Sequence, residues 1–286
     1  MAQDIEQRIA EEVRDLPQLP GVVQRVLAVT DDPNTSAADL GEVVGTDQAL
    51  TARVLRMANS PLFGLARRVD TVTGAVRVLG FNAIRNIVLA SHLASTLGNP
   101  VDGYVLEAGA LWRHALASGT AALVLARQAR VPNHETALVA GILQDVGKLV
   151  LGAYIGQRLN EMVEDATTRQ VSFADIERAN LGVDHAEVGA IITENWGLPT
   201  ELVNVVRYHH RPGEHPSGNP LVWLAHLGDY LAMTAGYGLG GEGLAYAVDA
   251  RGWQVLNVDP AQLPVIMDEI IRKVQALENL LDGASA

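Results

Sequence analysis

Apolar residues recur at three- and four-residue intervals along nearly the whole 286-residue chain. Val22, Val23, Val26 and Leu27 share one helix face. Leu50, Val54, Leu55 and Met57 repeat the pattern, as do Ile84, Ile87 and Val88. Val139, Ile142, Leu143, Val146 and Leu149 do so again. Ser36 and Ser172 each precede an acid three residues on, Asp39 and Asp175, which is an N-cap signature. Two-residue alternation with β-branched clusters is scarce, so the chain is expected to be all-α.

Turn chemistry divides the pattern. Residues 98–103 form a Gly/Asn/Pro-rich break between helical blocks, and residues 236–243 hold five glycines in eight positions. The second stretch is no phosphate loop: no strand precedes it and no Lys-Ser/Thr follows it. It reads as a flexible connector. The implied organisation is an N-terminal helix over 1–15, helical halves over 16–100 and 101–235, then the connector with a C-terminal helical extension over 236–286. In the last section Ile266, Ile270, Ile271, Val274 and Leu277 keep helical spacing, which suits a docked helix or a dimer contact equally.

Composition removes whole classes of function. With 48% apolar and 19% charged residues the chain is globular, and 21 basic against 33 acidic side chains leave a net charge of −12. Nucleic acid is therefore not an expected partner, since phosphate backbones need a cationic surface. The absence of cysteine excludes disulfides, thiolate metal sites and thiol nucleophiles. The charged N-terminus has no apolar targeting core, and no apolar run reads as a membrane span, so a soluble cytoplasmic protein is expected.

Charge is uneven within that acidic total. Arg53, Arg56, Arg67, Arg68, Arg77 and Arg85 face a single acid, Asp70, between residues 51 and 90. They either pair with acids on separate faces or form a surface for an anionic ligand or partner.

Chemistry concentrates in the second half. His114, Asp145 after Gln144, His185, the pair His209-His210, and Asp229 each sit in or at the end of a helical pattern. Imidazole and carboxylate together suit Mn, Fe or Zn, and helix bundles assemble such sites from facing helices. Each residue alone is weak evidence, and His209-His210 could simply close a helix. His92, His134 and His215 fit no such pattern, and Asp229, three after His226, could be a local pair.

Together, the spacing resembles the HD phosphohydrolase superfamily and its HD-GYP branch. Leu16-Pro-Gln-Leu-Pro20, Asp47-Gln-Ala-Leu-Thr-Ala-Arg53, Ala58-Asn-Ser-Pro61 and Ala75-Val-Arg-Val-Leu-Gly80 resemble the N-terminal signature of HDOD, the HD-related output domain. Leu181-Gly-Val-Asp-His-Ala-Glu-Val-Gly-Ala190 and Trp196-Gly-Leu-Pro199 resemble its C-terminal signature. The resemblance covers about residues 15–235. It implies two packed helical subdomains, the second HD-like, and a bacterial signalling role exerted by interaction.

The departure from the HD pattern is Gln144, where the name-giving pair has histidine. By resemblance, one metal position would use His114, Gln144, Asp145 and Asp229, and the other Asp145, His185, His209 and His210. Lys148 matches a lysine of the catalytic branch. A neutral amide is a weak donor to these metals, so two-metal catalysis is not expected; no metal or one divalent Mn, Fe or Zn is. The resulting reading is a non-catalytic output or adaptor protein that binds a signalling protein or a small anion such as a cyclic dinucleotide. The alternative is a metal-dependent phosphodiesterase with Asp145 and Lys148 as working residues.

Overall fold

A computed structural model describes residues 8, 9 and 11, 18–238 and 248–282. Its main helices are α1 (Gly21–Asp31), α2 (Ala37–Gly45), α3 (Gln48–Ala58), α4 (Val72–Leu79), α5 (Phe81–Leu97), α6 (Ala110–Gln128), α7 (Thr136–Leu143), α8 (Lys148–Ile155), α9 (Leu159–Arg169), α10 (Phe173–Leu181), α11 (His185–Asn195), α12 (Thr200–Tyr208), α13 (Pro220–Ala232), α14 (Arg251–Val255) and α15 (Leu263–Asp282). No strand occurs among the described residues, so the all-α expectation holds; one isolated bridge joins Val101 and Leu106. Ser36 and Asp39 form a complete capping box that opens α2, and Ser172 accepts from Asp175 N to open α10, as the spacing predicts.

Helices α1–α5 pack around Val26, Leu40, Val54 and Ile84, all fully buried. α5 then lies against α7 and ties this layer to the rest. The second layer centres on α6, which packs against both α7 and α13. Small residues set that approach. A Cβ on Gly141 would stand 2.7 Å from the backbone of Gly119, so α6 and α7 meet main chain to main chain. This close contact leaves the polar side chains on neighbouring turns near one another.

The C-terminal helix docks within its own chain. Ile266, Ile270, Val274 and Leu277 of α15 are fully buried, and α15 packs on α6. The dimer alternative is not needed to cover that face. Thr136–Ile155 is long and apolar enough to cross a membrane by composition, contrary to the reading of its apolar runs as too short. However, 83% of that window is buried in the fold, so its apolar surface is consumed by the core. The N-terminal helix expected over 1–15 lies outside the described residues except at 8, 9 and 11, and the glycine-rich segment does so beyond Gly238.

Ile270→Ala should lower unfolding free energy by about 2–4 kcal/mol, the usual result of emptying a filled core site. Urea melts at widely different protein concentrations should give the same loss; a concentration-dependent loss would mean that α15 stabilises an oligomer instead.

Candidate metal centre

Five elements bring the predicted ligands together. His114 projects from α6, Asp145 from the turn between α7 and α8, and His185 from the start of α11. His209 and His210 follow the end of α12, and Asp229 lies on α13. Gly147 is needed for this convergence. A Cβ there would meet Gly189 N at 2.6 Å and would collide with the carbonyl of His185. The Asp145 turn and the first turn of α11 therefore touch through their backbones.

The Asp145 carboxylate, 2% exposed, is the hub. Its Oδ2 lies 3.1 Å from His114 Nε2, and its Oδ1 lies 3.0 Å from Lys148 Nζ and 3.4 Å from His185 Nε2. Asp229 Oδ1 is 2.9 Å from the same His114 Nε2. Burial pushes the Asp145 carboxyl up, but Lys148, His114 and His185 outweigh it and hold it well below the usual range.

Outer partners orient the imidazoles. His114 Nδ1 donates to Tyr237 O at 2.7 Å, so its Nε2 faces the two carboxylates. Burial disfavours charge on His114, yet Asp145 and Asp229 raise its pKa to about 10. A proton on Nε2 then bridges the two carboxylates. His185 Nδ1 donates to Glu177 Oε2 at 2.6 Å, and Tyr104 Oη donates to Glu177 Oε1 at 2.6 Å. Glu177 is fully buried and also accepts from His185 N. A carboxylate behind a histidine is the arrangement that fixes metal-ligating imidazoles.

The imidazole side of the site is less satisfied. His209 Nδ1 donates to Val206 O at 2.8 Å, which leaves Nε2 as the lone-pair nitrogen; it is buried and has no hydrogen-bond partner among the described residues. His210 Nε2 lies 2.8 Å from His185 Nε2. Burial, then the charge of His185, lowers the pKa of His209 to about 4; burial and its neighbours push His210 well below its usual value. Both are therefore neutral donors. His185, His209 and His210 form one group with mutually close nitrogens, and His114, Asp145 and Asp229 form another. Three imidazoles beside a carboxylate suit Zn, Mn or Fe. Gln144 is fully buried, and neither of its amide atoms has a partner among the described residues.

His226 belongs elsewhere. Its Nδ1 donates to His209 O and its Nε2 accepts from Asp249 N, both at 2.8 Å, so it braces the segment carrying His209 and does not pair with Asp229. The arginines are dispersed. Arg85 pairs with Asp31 at 3.2 Å, Arg53 stands near His92, and Arg67 and Arg77 are exposed. Arg56 and Arg68 share a cavity. Sequence reasoning missed Tyr104 and Glu177. Glu177 was detectable in principle, because it falls between Phe173 and Leu181 on the buried stripe of α10.

The helical scaffold gathers two groups of side chains that could hold a metal ion, with Gln144 beside Asp145. The chain belongs to the HDOD domain family, whose match spans residues 16–212. A Geobacter sulfurreducens HDOD domain protein of unknown function superposes with a TM-score of 0.71 at 25% identity, covering 96% of this chain and 97% of that one. A Marinobacter aquaeolei protein described as acting in signal transduction gives 0.72 at 26% identity, covering 98% and 66%. A Shewanella amazonensis protein described as a phosphohydrolase shares the fold at 0.68 and 21% identity, covering 94% and 97%. An uncharacterized Treponema pallidum protein is 27% identical over 206 residues, 71% of this chain, which spans 39% of that protein's length.

Asp184 holds α11, and with it His185, in place. Its Oδ1 caps Glu187 N at 2.8 Å, and its Oδ2 accepts from Arg178 at 2.6 Å and Arg211 at 2.9 Å. Burial pushes this carboxyl up, but His185, the cap and Arg178 hold it below the usual value. A depressed carboxyl stabilises the fold above its unfolded pKa of about 4 and loses that contribution as pH falls through the folded value. Asp184→Asn should cost about 1–3 kcal/mol near neutral pH. The gap to wild type in urea melts should narrow below about pH 4; a gap unchanged with pH would exclude this role.

Proposed function

We propose that the protein is a cytoplasmic bacterial output domain that works by binding and does not hydrolyse phosphodiesters. It would hold one divalent cation, on the imidazole side of the centre. In this reading the segments 16–100 and 101–235 are its two working halves. The partner would be a signalling protein or a small phosphorylated anion, a cyclic dinucleotide included.

Gln144 carries the reading. A buried neutral amide stands where an HD pair has imidazole, and neither of its polar atoms engages the adjoining carboxylates. On that side His114 already satisfies Asp145 and Asp229 with one proton, and Lys148 neutralises the other Asp145 oxygen. On the other side His209 retains a free lone pair and His185 is oriented by Glu177. Asp145, His185, His209 and His210 would hold a cation there. When bound, it would supply Lewis acidity. The chain's own residues orient the ligand nitrogens and, with Asp145, His185 and His209 almost wholly buried and His210 half-buried, restrict solvent access.

The phosphohydrolase alternative rests on one observation: Lys148, itself 4% exposed, points its ammonium at Asp145 and so remains beside any phosphoryl group that reached the centre. With Mn supplied, wild-type protein should cleave bis(p-nitrophenyl) phosphate no faster than buffer. Gln144→His should gain chelator-sensitive cleavage. Chelator-sensitive turnover by wild type would overturn the binding reading.

A further inference from the structure

Away from the metal centre, α3, the loop that follows it and the end of α15 line an open cavity of about 570 Å³. Arg56, Arg68 and Asn59 supply its polar wall, and Leu55, Leu65 and Leu280 its main apolar one. The loop is built, not loose. Asn59 Nδ2 donates to Val69 O and Asn59 Oδ1 accepts from Val69 N, both at 2.8 Å. Lys273 Nζ, from α15, donates to Pro61 O at 3.2 Å and ties that helix to the same loop. Both arginines are therefore carried on fixed elements.

Their charges are poorly matched by protein. Arg56 Nε is buried and has no hydrogen-bond partner among the described residues, and no ion pair of Arg56 occurs among them. Arg68 has one ion pair, to Asp70 at 3.7 Å, with both side chains more than four-fifths exposed; such a pair contributes little.

We propose that this cavity binds a small phosphate-bearing molecule with a flat ring, a nucleotide being the simplest. Arginine forks match phosphate oxygens, the leucine wall matches a ring, and the volume lies in the usual range for small-molecule sites. The proposal deepens the binding reading above and rests on it, but the cavity shares no residue with the metal centre. Failure here therefore leaves cleavage and metal content unaffected, and each idea fails by its own measurement.

The test is calorimetric titration of the full chain with GMP and with inorganic phosphate at fixed salt. GMP should bind, at least tenfold more tightly than phosphate. Arg56→Met, which keeps the alkyl stem, and the exposed Arg68→Glu should each weaken GMP at least tenfold with unchanged melting temperature. Arg113→Glu, an exposed change of the same charge on α6, should not. The proposal is overturned if GMP fails to bind, binds no better than phosphate, or binds both pocket variants as well as wild type. It is also overturned if His185→Ala abolishes binding while the pocket variants do not, which would place the nucleotide at the metal centre.

Discussion

A buried carboxylate is the constraint on which the second layer of this fold depends. Asp145 is almost wholly withdrawn from water, and an unpaired charge there would cost several kcal/mol. It is tolerated because α6 delivers His114, the start of α8 delivers Lys148 and α11 delivers His185 to its two oxygens. Each of those partners is fixed in turn, His114 by Tyr237 O and His185 by Glu177, itself held by Tyr104. Removing one member leaves another charge or lone pair stranded, so the network fixes the register between helices as well as any function.

The same network satisfies the carboxylates of the centre from within the chain. Beside Gln144, His114 Nε2 lies 3.1 Å from Asp145 and 2.9 Å from Asp229 and so substitutes for separate partners. On the opposite side no such substitute exists for His209 Nε2. The two halves of the centre therefore differ: one is closed around its carboxylates, and the other keeps a lone pair on His209 Nε2 that has no partner among the described residues.

Much of this was legible in the sequence. Three- and four-residue periodicity fixed the fold class because nearly every helix buries an apolar stripe, and the Ser36 and Ser172 caps were readable from three-residue spacing. The six histidines and aspartates of the centre were found because ligand chemistry limits residue types. Glu177 and Tyr104 were not, since outer-shell partners need only a hydrogen bond and can come from any element that folds nearby. The arginine segment shows the opposite failure. Six like charges close in sequence suggested one surface, but helical geometry scattered them, and two of them, Arg56 and Arg68, face a common cavity. For α15, spacing identified the apolar face but not what covers it; contact with α6 decides that.

The account's central claim is the asymmetry of the metal centre, and metal content tests it most directly. Protein purified with Mn and Fe supplied should carry one equivalent of metal per chain by elemental mass spectrometry, and His209→Ala should lose it. Two equivalents would show that Gln144 is compensated and that both halves hold cations; none would leave the imidazole cluster as packing alone. Either result would contradict the account.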